Sequence, residues 1–174
     1  ALVPQNHVIE FMTYLIVFKI GLSGLSFSYY LSRHSKGEDA GIGFFGIFYA
    51  LSGYMAAYSW NIMWLDCIWL FPLICLGAER LVFRKKRLLY TITLGLSILS
   101  NYYISIMVCI FLIFYFFVLQ ILKHKNTLRE FVQSGVRFAF YSLLAGALSA
   151  VVLLPEIYAL QHTASSEISF PQTF

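Results

Sequence analysis

The sequence predicts an all-α membrane protein of about six transmembrane helices, with the N-terminal and C-terminal ends both extracytoplasmic. The 174 residues are 60% hydrophobic and only 11% charged, which is too little polar surface to cover a soluble globule. The apolar residues form runs long enough to cross a hydrocarbon core of about 30 Å. Between these runs, eleven of the twelve Lys and Arg residues fall into three groups, which are Arg33 with Lys36, then Arg80, Arg84, Lys85, Lys86 and Arg87, and last Lys123, Lys125, Arg129 and Arg137.

The three basic groups predict the orientation of the chain. Because Lys and Arg near the ends of spans mark the cytoplasmic side, all three groups are expected to face the cytoplasm. The net charge of +4 and the pI near 9 are then explained by loops that lie beside anionic lipid. Membrane lipid is therefore the predicted partner, and nucleic acid is not.

The first three spans are separated by polar turns. A charged turn from Arg33 to Asp39 follows the first span, and an outer turn with Trp60 and Trp64 precedes the third, as is typical of the water interface. Gly41, Gly43 and Gly46 would let the second span pack closely against a neighbour. The predicted spans cover about residues 8–32, 40–59 and 63–79.

Residues 88–122 form one apolar stretch that is too long for a single span. At about 1.5 Å per residue, one helix of this length would reach about 52 Å. A single crossing would also put Lys123 outside, against the orientation of the other basic groups. Two short spans, about 88–100 and 103–122, are therefore predicted to meet at an outer turn in a protein-lined, wet recess.

The last span is predicted at about residues 138–154. Thr127 and Glu130 have the spacing of a capping box, so a helix is expected to begin there, and Pro155 is expected to end it. Residues 155–174 are then an outer loop. Residues 1–174 are expected to be one transmembrane segment, as part of a longer chain.

The polar residues at the outer ends form the candidate site. Aromatic rings with a carboxylate and amides are what a sugar-binding face requires, and polar groups in a membrane are a functional hypothesis by default. Structural roles compete with this interpretation, because an acid in a first helical turn is favoured by the macrodipole and Asn is common in turns. The candidates are Asn61, Trp64, Asp66, Asn101, Tyr102 and Tyr103, with Asp66 as the candidate catalytic acid.

Other polar residues are given structural roles. Lys19 lies halfway along the first span and is expected to face the bundle and find a carboxylate or carbonyl groups, because an unpaired ammonium there is costly. Glu79 and Arg80 are interpreted as anchors of orientation. No metal site is predicted, since His7 and His162 lack ligand spacing, and the cysteines are interpreted as buried packing residues.

Several motifs resemble one bacterial family. They are Asn61-Ile-Met-Trp-Leu-Asp66 continuing through Phe71-Pro-Leu-Ile-Cys-Leu-Gly-Ala-Glu-Arg-Leu81, with Lys19-Ile-Gly-Leu-Ser-Gly, Tyr49-Ala-Leu-Ser-Gly-Tyr54, Ser100-Asn-Tyr-Tyr103, Leu154-Pro-Glu156 and Ser169-Phe-Pro171 in the same order. With these motifs the chain resembles the YfhO family of bacterial multispanning membrane proteins.

The resemblance implies a larger bundle of the GT-C glycosyltransferase type in the bacterial cell membrane. Such proteins are linked to moving a sugar from a polyprenyl phosphate to cell-surface polymers, notably teichoic acids. The resemblance also places the main catalytic acid on an outer loop before Ala1.

The function expected from these observations is a membrane glycosyltransferase, and two alternatives stay open. They are a transporter or lipid flippase, and a non-catalytic scaffold subunit. A donor phosphate needs a positive charge that the outer loops lack. It would come from the rest of the protein, from Lys19 or from a divalent cation held by acids, and no other cofactor is implied.

Overall fold

The computed structural model describes residues 7–35, 40–123 and 127–161, and these residues contain helices and no strand. The helices are α1 (Val8–Ser35), α2 (Ala40–Ala50), α3 (Gly53–Tyr58), α4 (Ile62–Arg84), α5 (Leu88–Ser100), α6 (Tyr102–Leu122), α7 (Leu128–Leu148) and α8 (Ala150–Gln161).

Five of the described segments are long and apolar enough to cross a membrane. They are Val8–Ser35, Gly41–Tyr58, Ile62–Arg84, Tyr102–Leu122 and Leu128–Leu148, and α5 and α8 are shorter apolar helices. Many large apolar side chains on these helices are exposed, as expected where lipid or further helices cover them. The prediction of an all-α, multispanning membrane protein is therefore confirmed.

Helix α4 lies at the centre of the bundle. It packs against α1, α5, α6 and α7, and its buried side chains form the core with those of α5 and α6. Pairs of contacting residues show the helix directions, because Lys19 meets Asp66 while His34 meets Glu79, and Cys67 meets Ser105 while Tyr115 meets Glu79. Helices α1, α4 and α6 consequently run parallel.

Helix α5 runs against α4, since Cys67 contacts Ser97 and Gly77 contacts Tyr90. The described basic residues at the helix ends therefore gather at one end of the bundle, which we call the basic end: Arg33, Arg80, Arg84, Lys85, Lys86, Arg87, Lys123 and Arg129. The candidate site residues lie toward the opposite end. Which membrane face the basic end occupies stays a prediction.

Glycine permits the closest approaches between helices. A Cβ atom on Gly77 would lie 2.7 Å from the backbone N and Cα of Tyr90, so α4 and α5 could not pack as they do with any other residue. Gly46 faces Gly24 in the same manner, as predicted. Gly41 and Gly43, by contrast, face open space.

The break between α5 and α6 lies at Asn101, as predicted from the length of the apolar stretch. The second predicted span is interrupted near Ser52, where α2 gives way to α3. Helix α4 continues to Arg84, beyond the predicted end near 79. Thr127 is the N-cap of α7 as predicted, but its side chain makes no capping hydrogen bond.

The prediction that Pro155 ends the last helix is wrong. The interruption lies at Ser149, whose hydroxyl donates to the Gly95 and Ala145 carbonyl groups at 2.8 and 3.1 Å. Pro155 is the sixth of the twelve residues of α8, where the missing N–H removes a single backbone hydrogen bond. Residues 155–161 are thus helical, and the rest of the predicted outer loop, with His162, lies outside the described residues.

We predict that Gly77→Ala destabilises the protein by about 1–3 kcal/mol, because the added methyl group meets backbone atoms that cannot move aside. Thermal unfolding in detergent, followed by tryptophan fluorescence, measures this. Gly146→Ala is the matched control, since a Cβ atom there meets nothing within 4 Å. Equal melting temperatures for the two variants would contradict the packing described here.

We also predict that Tyr103→Cys reacts with a membrane-impermeant maleimide on intact cells, whereas Lys86→Cys reacts only after the cells are opened. Both positions are exposed and lie at opposite ends of the bundle. The reason is the predicted cytoplasmic location of the basic end. Labelling of Lys86→Cys from outside would reverse the orientation.

Candidate functional site

Asp66 forms the centre of the polar contacts away from the basic end. Its Oδ2 atom accepts a hydrogen bond from Lys19 Nζ at 2.7 Å, and its Oδ1 atom accepts one from Trp69 Nε1 at 3.2 Å. Lys19 Nζ also donates to the Ile62 carbonyl oxygen at 3.0 Å. The side chains of Lys19 and Asp66 are 14% and 27% exposed. Lys19 therefore faces the bundle and finds both a carboxylate and a carbonyl group, as the sequence predicts.

Helical spacing explains this arrangement. Asp66 and Trp69 are three residues apart, so they lie on one face of α4, and α1 presents Lys19 to that face. A charge between apolar helices is costly unless it is paired and hydrogen-bonded. Each charged group thus compensates the other, and both carboxylate oxygens of Asp66 are occupied in this state.

The turn at Asn101 lies beside the start of α4. Cys67 Sγ is 3.8 Å from the Asn101 carbonyl oxygen and 3.6 Å from that of Ser97. Asn101 Oδ1 accepts a hydrogen bond from the Ile104 N–H at 3.0 Å, so this side chain caps α6. Asn101 therefore has a structural role in the turn. Its backbone carbonyl group also faces Cys67 of α4.

The six candidate residues share one end of the bundle but not one face of α4. Asp66 points to α1, whereas the next residue, Cys67, points to α5 and α6. Asn61 precedes α4 as its N-cap without a capping side-chain bond. Tyr103 is exposed and Tyr102 is partly buried. The structure brings Asp66 and Lys19 into contact, and the Asn101 turn lies around the helix from them.

Aromatic rings cover α3 and the start of α4. The ring of Trp64 is 6.1 Å from that of Tyr58, which is 5.3 Å from that of Tyr54. The Tyr54 hydroxyl is buried and has no hydrogen-bond partner among the described residues. An unsatisfied buried hydroxyl costs about 1–3 kcal/mol, so a ligand, a water molecule or another part of the protein is expected to bind it. Tyr54 is not among the candidates from the sequence, where it appears only at the end of a motif, because no local pattern predicts the burial of its hydroxyl group.

A second polar cluster surrounds Glu79, the residue interpreted from sequence as an anchor. Its Oε1 atom accepts hydrogen bonds from the Tyr115 and Tyr30 hydroxyl groups at 2.6 and 2.9 Å, and His34 Nδ1 is 2.9 Å away. Glu79 is only 9% exposed. Its contacts with Tyr30, His34 and Tyr115 join α4 to α1 and α6. The spacing of Tyr30 and His34 on one face of α1 is the only local signal of this cluster, because Tyr115 is distant in sequence.

Within residues 7–35, 40–123 and 127–161, no three His, Cys, Asp or Glu side chains lie close enough to hold a metal ion. His7 lies beside Glu10, with 2.8 Å between Nδ1 and Oε2, on an exposed surface. Cys67 and Cys75 are buried and Cys109 is partly buried, which agrees with packing roles. A divalent cation would therefore need ligands beyond those that the described residues bring together.

Comparison with known proteins identifies the family. The family described as "Bacterial membrane protein YfhO" matches residues 1–174, and the chain belongs to it. No curated protein and no solved structure matches the chain. The family and the long apolar helices together establish a multispanning protein of a bacterial membrane.

We predict that Lys19→Met lowers the free energy of unfolding by on the order of 3 kcal/mol, because it leaves the Asp66 carboxylate without its counter-charge. The double variant Lys19→Met/Asp66→Leu should recover most of this loss, since apolar replacement of both partners removes the desolvation cost. Thermal unfolding of the single and double variants in detergent measures both effects. Additive losses would show that the two residues are not coupled.

Proposed function

We propose that this YfhO-family chain forms part of a membrane glycosyltransferase. In this proposal it transfers a sugar from a polyprenyl phosphate to an extracytoplasmic cell-surface polymer such as teichoic acid. The observation that supports it most is the Lys19–Asp66 pair, with its 2.7 Å contact, at the end of the bundle that carries the aromatic rings and the unpartnered Tyr54 hydroxyl. Family membership supports the bacterial membrane setting.

The reaction would break the bond between the sugar anomeric carbon and the phosphate oxygen, and would form one to an acceptor hydroxyl oxygen. A carboxylate takes the hydroxyl proton, and the phosphate leaves with the bonding electrons. Asp66 is the candidate carboxylate within this segment, and in the proposed GT-C arrangement the main catalytic carboxylate would lie on another part of the protein. Lys19 would stabilise the charge that develops on the phosphate.

The Lys19–Asp66 pair has a defined part in this proposal. Of the Lys and Arg residues that the structure describes, Lys19 lies closest to this end, and Asp66 holds its ammonium group in place. Donor binding would draw the ammonium toward the phosphate, and a divalent cation would serve the same need. Asn61, Trp64, Asn101, Tyr102 and Tyr103 are proposed to line the donor cavity, with the aromatic rings against the sugar.

A transporter or lipid flippase is the second candidate function. The observation that favours it is an oppositely charged pair held between membrane spans, which is typical of substrate and ion pathways. Counterflow of labelled lipid in liposomes without any covalent product would select this alternative. A non-catalytic scaffold is the third, since both Asp66 oxygens are already bonded within the fold.

We predict that Asp66→Asn and Lys19→Met each lower sugar transfer by roughly tenfold to a hundredfold, because the leaving phosphate loses a positioned charge. Membranes supplied with a labelled polyprenyl-phosphate sugar provide the assay. If Asp66 only positions Lys19, its variant mainly raises KM for the donor, and if it takes the proton, kcat falls. Glu10→Gln removes an exposed acid near the same end and is the matched control.

Loss of stability is separated from loss of function by Lys19→Met/Asp66→Leu, which should fold well and stay inactive. Full activity in this double variant would remove both residues from the site. Activity that survives replacement of every acid at this end would favour a scaffold.

A further inference from the structure

The C-terminal ends of α1, α4 and α6 enclose a cavity of about 730 Å³ at the basic end of the bundle. We call it the arginine cavity, because three arginines line it. The lining residues are Ser32, Arg33, His34, Leu76, Glu79, Arg80, Phe83, Arg84, Leu119 and Leu122. None of the six candidate site residues contributes to it.

The arginine cavity has an excess of positive charge. No carboxylate among the described residues lies within ion-pairing distance of Arg33, Arg80 or Arg84. Glu79 is the one acid in the lining, and its Oε1 atom already accepts hydrogen bonds from two tyrosine hydroxyl groups. Three guanidinium groups therefore face one engaged carboxylate.

Helix ends alone do not explain these arginines. A helix C-terminus favours a cation, which accounts for exposed Arg33 and Arg84. Arg80 lies one turn inside α4 and is partly buried, and Leu76, one further turn in, is fully buried. Tyr29 lies beside both Arg33 and Arg80, with the Arg33 guanidinium carbon 5.2 Å from its ring centroid. The guanidinium groups of Arg33 and Arg80 thus both lie beside the Tyr29 ring.

The apolar part of the lining shows what kind of anion fits. Leu76 and Leu119 are buried at 2% exposure each, whereas Phe83 and Leu122 are exposed at its edge. Guanidinium groups bind phosphate oxygens in bidentate geometry. The leucine side chains have no hydrogen-bonding groups, so they suit an apolar part of a ligand and not a small hydrated anion. Arginines above an apolar wall match a phosphate that carries a hydrocarbon chain.

We propose that the arginine cavity binds the phosphate headgroup of a membrane lipid from the leaflet that faces the basic end. Arg80 and Arg84 bind the phosphate, Arg33 closes over it from α1, and the acyl chains leave past Phe83 and Leu122. This site is independent of the sugar transfer proposed above, which involves the other end of the bundle.

The test uses the purified protein in neutral detergent, with short-chain phosphatidylglycerol as the probe and native mass spectrometry as the measurement. Arg80→Gln/Arg84→Gln is expected to weaken phosphatidylglycerol binding by roughly tenfold or more, through loss of charge-assisted hydrogen bonds. The matched control, Lys86→Gln/Arg129→Gln, removes the same charge from the same end outside the cavity and should bind as the unchanged protein does. Equal weakening in both double variants would overturn the proposal, because the attraction would then be that of the general surface charge.

Two further arms complete the test. Leu122→Glu places an acid at the edge of the cavity without removing an arginine, and it should also weaken binding roughly tenfold. Phosphatidylcholine, which has no net charge, should bind weakly to the unchanged protein. Inorganic phosphate that displaces phosphatidylglycerol at equal concentration would overturn the lipid assignment, and so would normal binding by a correctly folded Arg80→Gln/Arg84→Gln variant.

Discussion

The bundle depends on partners from other helices for two carboxylates of α4 that lie between apolar helices. Asp66 is paired with Lys19, and Glu79 accepts hydrogen bonds from Tyr30 and Tyr115. The two acids are about 20 Å apart along the helix axis. Because unpaired charges are costly between apolar helices, these two contacts fix both the height and the rotation of α1 relative to α4.

This constraint separates the chemistry of the two ends. The end with Asp66 carries the ion pair and the aromatic rings of α3 and α4, whereas the basic end carries the arginine cavity. Helices α1 and α4 contribute to both, so a change in their relative position would alter both sites. The proposed sugar site and the proposed lipid site therefore share helices α1 and α4, although they would bind two different lipids at opposite ends of the bundle.

Particular residues show which parts of the fold and the site could be predicted. The break at Asn101 was predicted from length and charge. One helix of residues 88–122 would be too long for a single span, and it would put Lys123 on the outer side of the membrane. The partner of Lys19 was predicted by type, since an ammonium inside a span must be compensated. Its identity as Asp66 was not predicted, because it depends on the relative height of two helices that are far apart in sequence.

The wrong prediction at Pro155 and the features that were not predicted have a related cause. Pro155 was expected to end a helix, but the interruption lies at Ser149, whose hydroxyl bonds to Gly95 on another helix. To predict the burial of Glu79, one would have to know that Tyr115 of α6 bonds to it. To predict the unpartnered hydroxyl group of Tyr54, one would have to know how α3 packs. Each of these features depends on contacts between helices, which local sequence patterns do not predict.

The sequence by itself determined that the chain is helical, that it lies in a membrane and that the described basic residues at the helix ends share one end of the bundle, because hydrophobicity, length and charge act locally along the chain. Only the tertiary structure decided which polar groups meet: Asp66 with Lys19, Glu79 with two tyrosines, and three arginines around one cavity. The physical reason is that these contacts depend on the height and rotation of each helix, which are set by close packing between helices, as where Gly77 meets Tyr90.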